Sequence, residues 1–372
     1  MKINMTIEKD FSRDVWCLLG LPFDAINLEQ TANLIVVAAN AKQSCFLSTP
    51  NLNFLCASLN DNAFRLSVIN SDLSIADGFP IVLIAKMLGI PIKERVAGSD
   101  LIDYLFNTHS TENPLKVFFF GGEPGIGERT CQVVNAHPAG LTAVGHYAPG
   151  FGSVEDMSSV DIIDFINEHD IDFLIVSLGA KKGQAWIERN KTRIKAPIIS
   201  HLGAVINFFA GSVKRAPVWM QQCGLEWLWR IYQEPNLWTR YFHDGIHFSG
   251  LFFKNILPYY FWQKLNPYHS ATITNTFTTS THANGHIRVE LTGQWIHSSL
   301  TPLRTEFQEI ALKKCDVILN LKHVTSIDSA FLGLCLLLYK YVNANGHSLF
   351  LTNPNKQVKK IIRWHNMTEF LA

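Results

Sequence analysis

The sequence predicts an α/β protein built in two parts, and three observations carry that expectation. Short apolar runs recur through the first two-thirds of the chain, at residues 34–38, 45–48, 117–120, 141–144, 173–178 and 197–200. Stretches with helical spacing lie between several of them, such as 78–88 and 160–168. A second, shorter alternation of strand-like and helix-like segments follows a run of Thr, Ser and Asn at 270–284, which has the composition of a linker. Apolar runs this short suit strands buried on both faces of a mostly parallel sheet. Ligands of such sheets gather outside the carboxyl ends of the strands. The turns after Phe120, at 147–152 and at Gly179 are therefore expected to share one rim.

Composition narrows the class. The chain has 372 residues, 47% of them hydrophobic, which excludes a fibrous or largely disordered protein and suits two domains. Only 17% are charged, against roughly 25% in a typical soluble domain. With 25 Phe and 9 Trp, some surface is expected to be apolar enough to meet a membrane or a partner. Lys plus Arg (32) nearly cancel Asp plus Glu (31), so no global field recruits nucleic acid. Seven scattered cysteines match neither a zinc spacing nor a disulfide framework. The first twenty residues make a poor signal peptide, and no apolar run is long enough to span a bilayer. The expected location is cytoplasmic.

The elements follow in order. Residues 218–232 form a Trp-rich helical pattern stopped by Pro235, and 240–262 are aromatic with few basic residues. The last part reads as a strand at 287–291 and a helix at 302–313 capped by Ser299 or Thr301. A strand at 316–319, an apolar helix at 329–342, a strand at 348–351 and a helix at 358–364 complete it. The expected domains are 1–245, a linker at 246–283, and 284–372.

Several positions carry candidate chemistry. Asp77 follows an apolar stretch and precedes Gly78, Phe79, Pro80 and a helix. A carboxylate there suits a general base, and suits a helix cap or turn equally. Thr49, Pro50 and Asn51 supply hydroxyl and amide groups just past a strand. Arg95, with Gly98, Ser99 and Asp100, suits a phosphate contact or a helix start. The glycines at 121, 122, 125 and 127 permit close approach of a phosphate to backbone N–H groups, but form neither a Walker loop nor a dinucleotide fingerprint. Asp170 and Asp172 lie at the amino end of a strand, opposite the expected ligand rim, which argues against a metal pair. His243, Asp244 and His247 lack a firm third metal ligand and read as an interfacial or capping cluster.

Taken together, Thr49-Pro50-Asn51, Ala76-Asp77-Gly78, the string ERVAGSDL at 94–101, Phe120-Gly121-Gly122 and the string GSVKRAPVWMQQCGLEWLWR at 211–230 resemble the WecG/TagA/CpsF family of bacterial glycosyltransferases. The resemblance runs from about residue 18 to 241. It implies a Rossmann-like fold and inverting transfer of a hexose-type sugar from a UDP-sugar to a polyprenyl-diphosphate-linked saccharide. The setting would be surface polysaccharide (exopolysaccharide) or teichoic acid linkage synthesis at the cytoplasmic membrane face, with no metal and no cofactor beyond the donor. It implies that Asp77 is the general base, with Thr49 and Asn51 beside it. Backbone around Gly121, Gly122 and Gly179 would lie against the uridine diphosphate, with Arg95 among the donor contacts. Two departures stand out. Lys181 occupies a usual proline position and Gly183-Gln184 replaces a usual Gln-Glu pair, so Lys181 and Gln184 are the substrate contacts this loop offers. Of an arginine-rich tail, only Arg230 and Arg240 remain. The tryptophans at 219, 227, 229, 238 and 262 suit a membrane interface, or a dimer or interdomain core.

Residues 284–372 resemble the STAS (anti-sigma-factor antagonist) domain, through VILNL at 317–321 and VTSIDSAFLG at 324–333. Ser329 aligns with the serine phosphorylated in some members and is expected to cap its helix. The implied role is regulatory docking to a protein partner; self-association is left open. The alternative to an active transferase is a non-catalytic scaffold on the same two folds.

Overall fold

The computed structural model describes residues 2–137, 139–203, 205–211, 213–266, 275–282 and 285–372. The chain opens with α1 (Lys2–Ser12), β1 (Val15–Leu18), β2 (Leu21–Asp24), α2 (Leu28–Asn40), β3 (Cys45–Ser48), α3 (Leu52–Ser58) and α4 (Asn62–Ile69). Next come β4 (Leu73–Ser74), α5 (Phe79–Met87), α6 (Gly98–Thr108), β5 (Leu115–Gly121), α7 (Ile126–Asn135) and β6 (Leu141–Tyr147). Then α8 (Val160–Asn167), β7 (Phe173–Ser177), α9 (Ala180–Asn190), β8 (Ile198–His201) and α10 (Val205–Phe209) close the first sheet. Four helices follow: α11 (Val218–Gln222), α12 (Glu226–Gln233), α13 (Leu237–Leu251) and α14 (Leu257–Leu265). The rest is β9 (Thr276–Thr281), β10 (Ile287–Trp295), α15 (Thr301–Ala311), β11 (Val317–Ile327), α16 (Ser329–Ala344), β12 (Leu349–Thr352) and α17 (Lys356–Trp364). Among the described residues no helix is long and apolar enough to cross a membrane.

The chain divides into two compact units, one of Ile26–Leu83 and Ile92–Ile246, the other of Met1–Ala25, Ile84–Pro91 and His247–Ala372. The first unit is built on a six-stranded sheet in the order β4-β3-β8-β7-β5-β6, with every pair parallel. Its strands are buried on both faces, which is why they read as continuous apolar runs. Along β5, Val117 and Phe119 pack with Ile35, Leu101 and Val134 on one side. Phe118 and Phe120 pack with Ile163, Trp186 and Ile187 on the other. Helices thus cover both faces, the doubly wound α/β arrangement.

The second unit holds a four-stranded sheet in the order β12-β11-β10-β9. Its two parallel pairings join β10 to β11 and β11 to β12, and β9 runs antiparallel along the β10 edge. Helix α16 is apolar on nearly every side, with Ala330 through Leu338 all buried. A helix of that kind needs cover on more than one face. The sheet supplies one cover and the β1–β2 hairpin another: a side chain at Gly333 would collide with the Val15 carbonyl. The N-terminal segment is also pinned by charge. Asp10 takes Lys340 at 2.7 Å and the Tyr341 hydroxyl at 2.8 Å, and Arg304 donates to the Arg13 carbonyl at 2.7 Å.

Several expectations need correction. The run at 34–38 is the middle of α2, whose buried positions Thr31, Ala32, Ile35, Ala38 and Ala39 have helical spacing; apolar runs of this length do not by themselves distinguish strand from buried helix. The Trp-rich stretch 218–232 is broken into α11 and α12 at Gly224, whose φ of +72° ends the first. The expected linker 246–283 carries the end of α13, all of α14, and strand β9, because β-branched Thr suits an edge strand as readily as a loop. Its residues 267–274 and 283, and the expected domain start at 284, lie outside the described residues. Neither Ser299 nor Thr301 caps α15. Ser299 accepts from the Ile296 amide at 3.1 Å and donates to the Gln294 carbonyl at 3.0 Å. The expected first domain, 1–245, loses residues 1–25 and 84–91 to the unit that contains the C-terminal sheet.

Candidate active site

Because every strand of the large sheet runs the same way, the segments leaving them meet along one edge. Thr49 and Asn51 follow β3, Asp77 follows β4, Gly121 ends β5 with Gly122 just past it, and Gly179 follows β7. The first two segments are tied directly: Ile75 N–H donates to the Ser48 carbonyl at 3.0 Å, and Asp77 N–H to the Pro50 carbonyl at 3.0 Å. Val96 N–H donates to the Ala76 carbonyl at 2.8 Å, bringing the loop of Arg95 to the same place. Thr49 is buried. Asn51 caps α3, its Oδ1 accepting from the Phe54 amide at 3.2 Å, and its side-chain nitrogen has no partner among the described residues.

Two glycines are required by the turn after β5. Gly121 has φ +106° and a side chain there would run into the Ser177 carbonyl; Gly122 has φ +79° and donates to that same carbonyl at 3.0 Å. Gly179 precedes α9 in an extended conformation, with open space where a side chain would stand.

The electrostatics centre on Asp77. Burial is the main reason its carboxyl is raised from 3.8 to about 7. The positive charge of Arg95 opposes that rise, Glu226 and Asp100 add to it, and Arg230 opposes it again. Arg95 itself is ion-paired with Asp100 at 2.7 Å and with Glu226, while Arg215 also reaches Asp100. Arg230 is half-buried, 3.7 Å from Glu234. The result is a carboxyl close to half-ionised at neutral pH, flanked by cations and able to accept a proton from a hydroxyl.

The remaining expected residues are distributed as follows. Lys181 lies in the first turn of α9 and pairs with Asp61 at 3.0 Å, both on the surface. Gln184 is wholly buried, with Nε2 donating to Ser48 Oγ at 3.0 Å. It therefore braces the end of β3 beneath Thr49, and the expectation that it touches substrate is corrected: one turn further along α9, its side chain turns inward. Arg240 is exposed, its guanidinium 5.0 Å above the Tyr241 ring, and makes no ion pair among the described residues. Ser329 belongs to the other unit, where it is 3% exposed. It does not cap α16. Asp328 does, accepting from the Phe331 amide at 2.9 Å, while its second oxygen accepts from His297 N–H at 2.8 Å.

Two charged residues of this network escaped the sequence reading as individuals, Glu226 and Arg215, and Asp100 was read there only as a phosphate contact or helix start. Both stand inside the string 211–230, so the signal was present without any indication that it meets the string 94–101. Asp170 and Asp172 are accounted for at the opposite edge of the sheet, where Asp172 pairs with Lys42 at 2.7 Å and accepts from the Lys116 amide at 3.0 Å. Asp244 accepts from Asn53 Nδ2 at 3.1 Å. Among the described residues, no three His, Cys, Asp or Glu side chains form a set that could hold a metal.

The first unit is a doubly wound α/β domain with a carboxyl and several cations at the carboxyl edge of its parallel sheet, and comparison with known proteins specifies its family. Residues 16–260 match the glycosyl transferase WecG/TagA/CpsF family, and residues 279–372 match the family described as Mlab, STAS domain. The chain belongs to the WecG/TagA/CpsF glycosyltransferases and carries a C-terminal STAS-like domain. It is 26% identical over 213 residues to an N-acetylglucosaminyldiphosphoundecaprenol N-acetyl-beta-D-mannosaminyltransferase of Bacillus spizizenii, covering 57% of this chain and 76% of that one. It is 24% identical over 228 residues to the protein of the same name from Staphylococcus aureus strain MRSA252, covering 61% and 87%. Among solved structures, the anti-sigma factor antagonist SpoIIAA in its unphosphorylated form aligns with 26% of this chain and 86% of its own, at 18% identity and a TM-score of 0.25.

Proposed function

We propose that this glycosyltransferase moves a hexose-type sugar, with inversion, from a UDP-sugar to a saccharide carried on a polyprenyl diphosphate, and that Asp77 is its general base. The observation that carries the reading is the Asp77 carboxyl at about 7, acted on by the charges of Arg95 and Arg230 and held on a segment tied to the Thr49–Asn51 turn through the Pro50 carbonyl. The relatives, named for transfer of N-acetylmannosamine to N-acetylglucosaminyldiphosphoundecaprenol, support an acceptor of that chemical kind.

In this scheme Asp77 removes the proton of the acceptor hydroxyl as its oxygen attacks the anomeric carbon on the face opposite the leaving group. The bond from that carbon to the β-phosphate oxygen breaks, and the electron pair leaves with UDP. The backbone around Gly121, Gly122 and Gly179 lies against the diphosphate in this scheme, and Arg95 and Arg230 balance its growing charge. Gln184 holds the Ser48–Thr49 strand end from below. Lys181, once freed from Asp61, is a further cation within the same rim. The scheme uses side-chain cations in place of a metal, so turnover is expected to persist with a chelator.

The lipid-linked acceptor calls for a membrane-facing surface. Trp219, Trp227, Trp238 and Phe242 are 59%, 43%, 54% and 56% exposed, respectively, an unusual display of large rings on helices α11 to α13. Rings of this kind settle at headgroup depth, with Arg240 beside them. The protein would thus work peripherally on the inner face of the cell membrane, and the STAS-like domain would dock a protein partner.

The test is UDP release from a panel of UDP-sugars with a polyprenyl-diphosphate-linked acceptor, comparing wild type with Asp77→Asn. Full turnover by the Asn variant removes Asp77 as the base. A folded wild type that releases UDP from no panel member favours a scaffold. Co-sedimentation with anionic vesicles, lost when Trp238 and Phe242 become Ser, tests the membrane face.

A further inference from the structure

Strand β8 ends at His201, in the middle of the carboxyl edge of the large sheet. Its two neighbours there are β3, which leads into Thr49, and β7, which leads into Leu178 and Gly179. The imidazole is 8% exposed, and the transferase scheme leaves it without a role.

The ring is held on one edge. Nε2 lies 2.5 Å from the Leu178 carbonyl oxygen. A carbonyl only accepts, so the ring proton is on Nε2 and donates to it. Burial lowers the imidazole pKa against the opposing pull of that hydrogen bond, so the ring is neutral at neutral pH. A side chain at Gly183, in the first turn of α9, would run into the ring at Cδ2, and one at Gly203 would crowd Nε2. The ring's place therefore depends on glycine at 183. The peptide joining Leu178 to Gly179 is trans, as every described peptide is, and in a trans peptide the N–H points opposite to the C=O. Holding the Leu178 carbonyl on His201 thus aims the Gly179 N–H away from the ring. That N–H has no hydrogen-bond partner among the described residues, and it stands at the start of α9, which no side chain caps. Gly179 has open space where a side chain would be, so nothing but the imidazole opposes a flip of this peptide.

We propose that His201 is a positioning residue, which locks the Leu178–Gly179 peptide with its N–H presented to the diphosphate of the nucleotide donor. The inference rests on the transferase reading and adds to it the residue that sets the sign of this part of the rim. Flipped, the same peptide would turn the Leu178 carbonyl, with its partial negative charge, onto the phosphate oxygens. The imidazole touches neither the sugar nor the acceptor in this role; it acts through the backbone.

The experiment is calorimetric titration of the full chain with UDP, for wild type, His201→Ala, His201→Gln and His201→Asn. Wild type is expected to bind one UDP. His201→Ala should weaken it by roughly ten-fold or more, as loss of a charge-assisted hydrogen bond does. His201→Gln carries an amide N–H to about the place of Nε2 and should recover most of the affinity, whereas His201→Asn, one carbon shorter, should not. Both amides replace the ring, so their melting midpoints should fall together, and a role in packing alone would leave their affinities equal. Gly183→Ala drives a methyl group into the ring. It should weaken UDP binding in wild type and cost nothing further in His201→Ala, where the space is empty. The inference is overturned if His201→Ala binds UDP undiminished, if the Gln and Asn variants lose affinity equally, or if the losses from Gly183→Ala and His201→Ala are independent; each of these leaves the transferase reading standing. A folded wild type that binds no UDP overturns that reading and the inference with it.

Discussion

Glu226 forms an ion pair with Arg95 across 131 positions of sequence, joining α12 to the loop beside Asp77. Asp100 takes the other side of Arg95 and also receives Arg215. Three carboxylates and three guanidinium groups therefore share one neighbourhood, in which no single charge can be altered without moving the balance at Asp77.

The first prediction concerns Asp77 itself. Asp77→Asn should lower turnover by about 10²- to 10⁴-fold, the usual contribution of a general base, and the wild-type rate should fall on the acid side with a midpoint near 7. Stability should move the other way. The folded carboxyl titrates near 7 and the free group near 3.8, so the folded state holds the proton more tightly through that window. Its contribution to stability is intact below about 4 and is lost as pH rises through 7. The Asn variant should melt higher than wild type at pH above 7, with the gap closing toward pH 4. Equal melting at alkaline pH would mean the carboxyl is not held by burial.

Glu226→Gln removes a negative charge that raises Asp77, so the acid limb of the kcat/KM profile should shift to lower pH. Glu226→Asp, which keeps the charge, should restore the wild-type limb. A pH profile separates this from a merely structural role, which would reduce the rate equally at every pH.

Gly121→Ala introduces a side chain at φ +106° against the Ser177 carbonyl. A loss of roughly 1–3 kcal/mol is expected, read from denaturant midpoints. Gly125→Ala is the control: its φ is +85° but the space around it is open, so the loss should be smaller.

Asp10→Ala strips the carboxylate from Lys340 and from the Tyr341 hydroxyl in a largely buried setting. Breaking one side of such a pair costs about 3 kcal/mol, so chemical denaturation should show a large drop in midpoint. An unchanged midpoint would mean the N-terminal segment does not stabilise α16.

Much of the fold could be read directly. The apolar run Cys45–Ser48 is a strand and Val160–Asn167 a helix within a residue of expectation, because each has one period and clear ends. The placement of Thr49, Asn51, Asp77, Gly121 and Gly122 along one edge was legible for a similar reason: they stand at or shortly past strand ends, and a parallel sheet gathers strand ends on one edge. Gln184 was not legible, since its neighbours do not reveal which way one turn of α9 faces. Glu226 was hidden because Arg95 lies far away in the chain, and a long-range ion pair leaves no local periodicity.

The sequence by itself determined most strands of the large sheet, their order and the chemistry available at each strand end, since these depend on local spacing and side-chain type, but not that 34–38 is helical or that 276–281 is a strand. Only the tertiary structure decided that the low charge content includes an edge strand of Thr and Ser, that residues 1–25 cover α16, and that Asp77 titrates near 7. Those outcomes depend on which surfaces exclude water from one another, and burial of that kind is a property of the folded chain rather than of any segment of it.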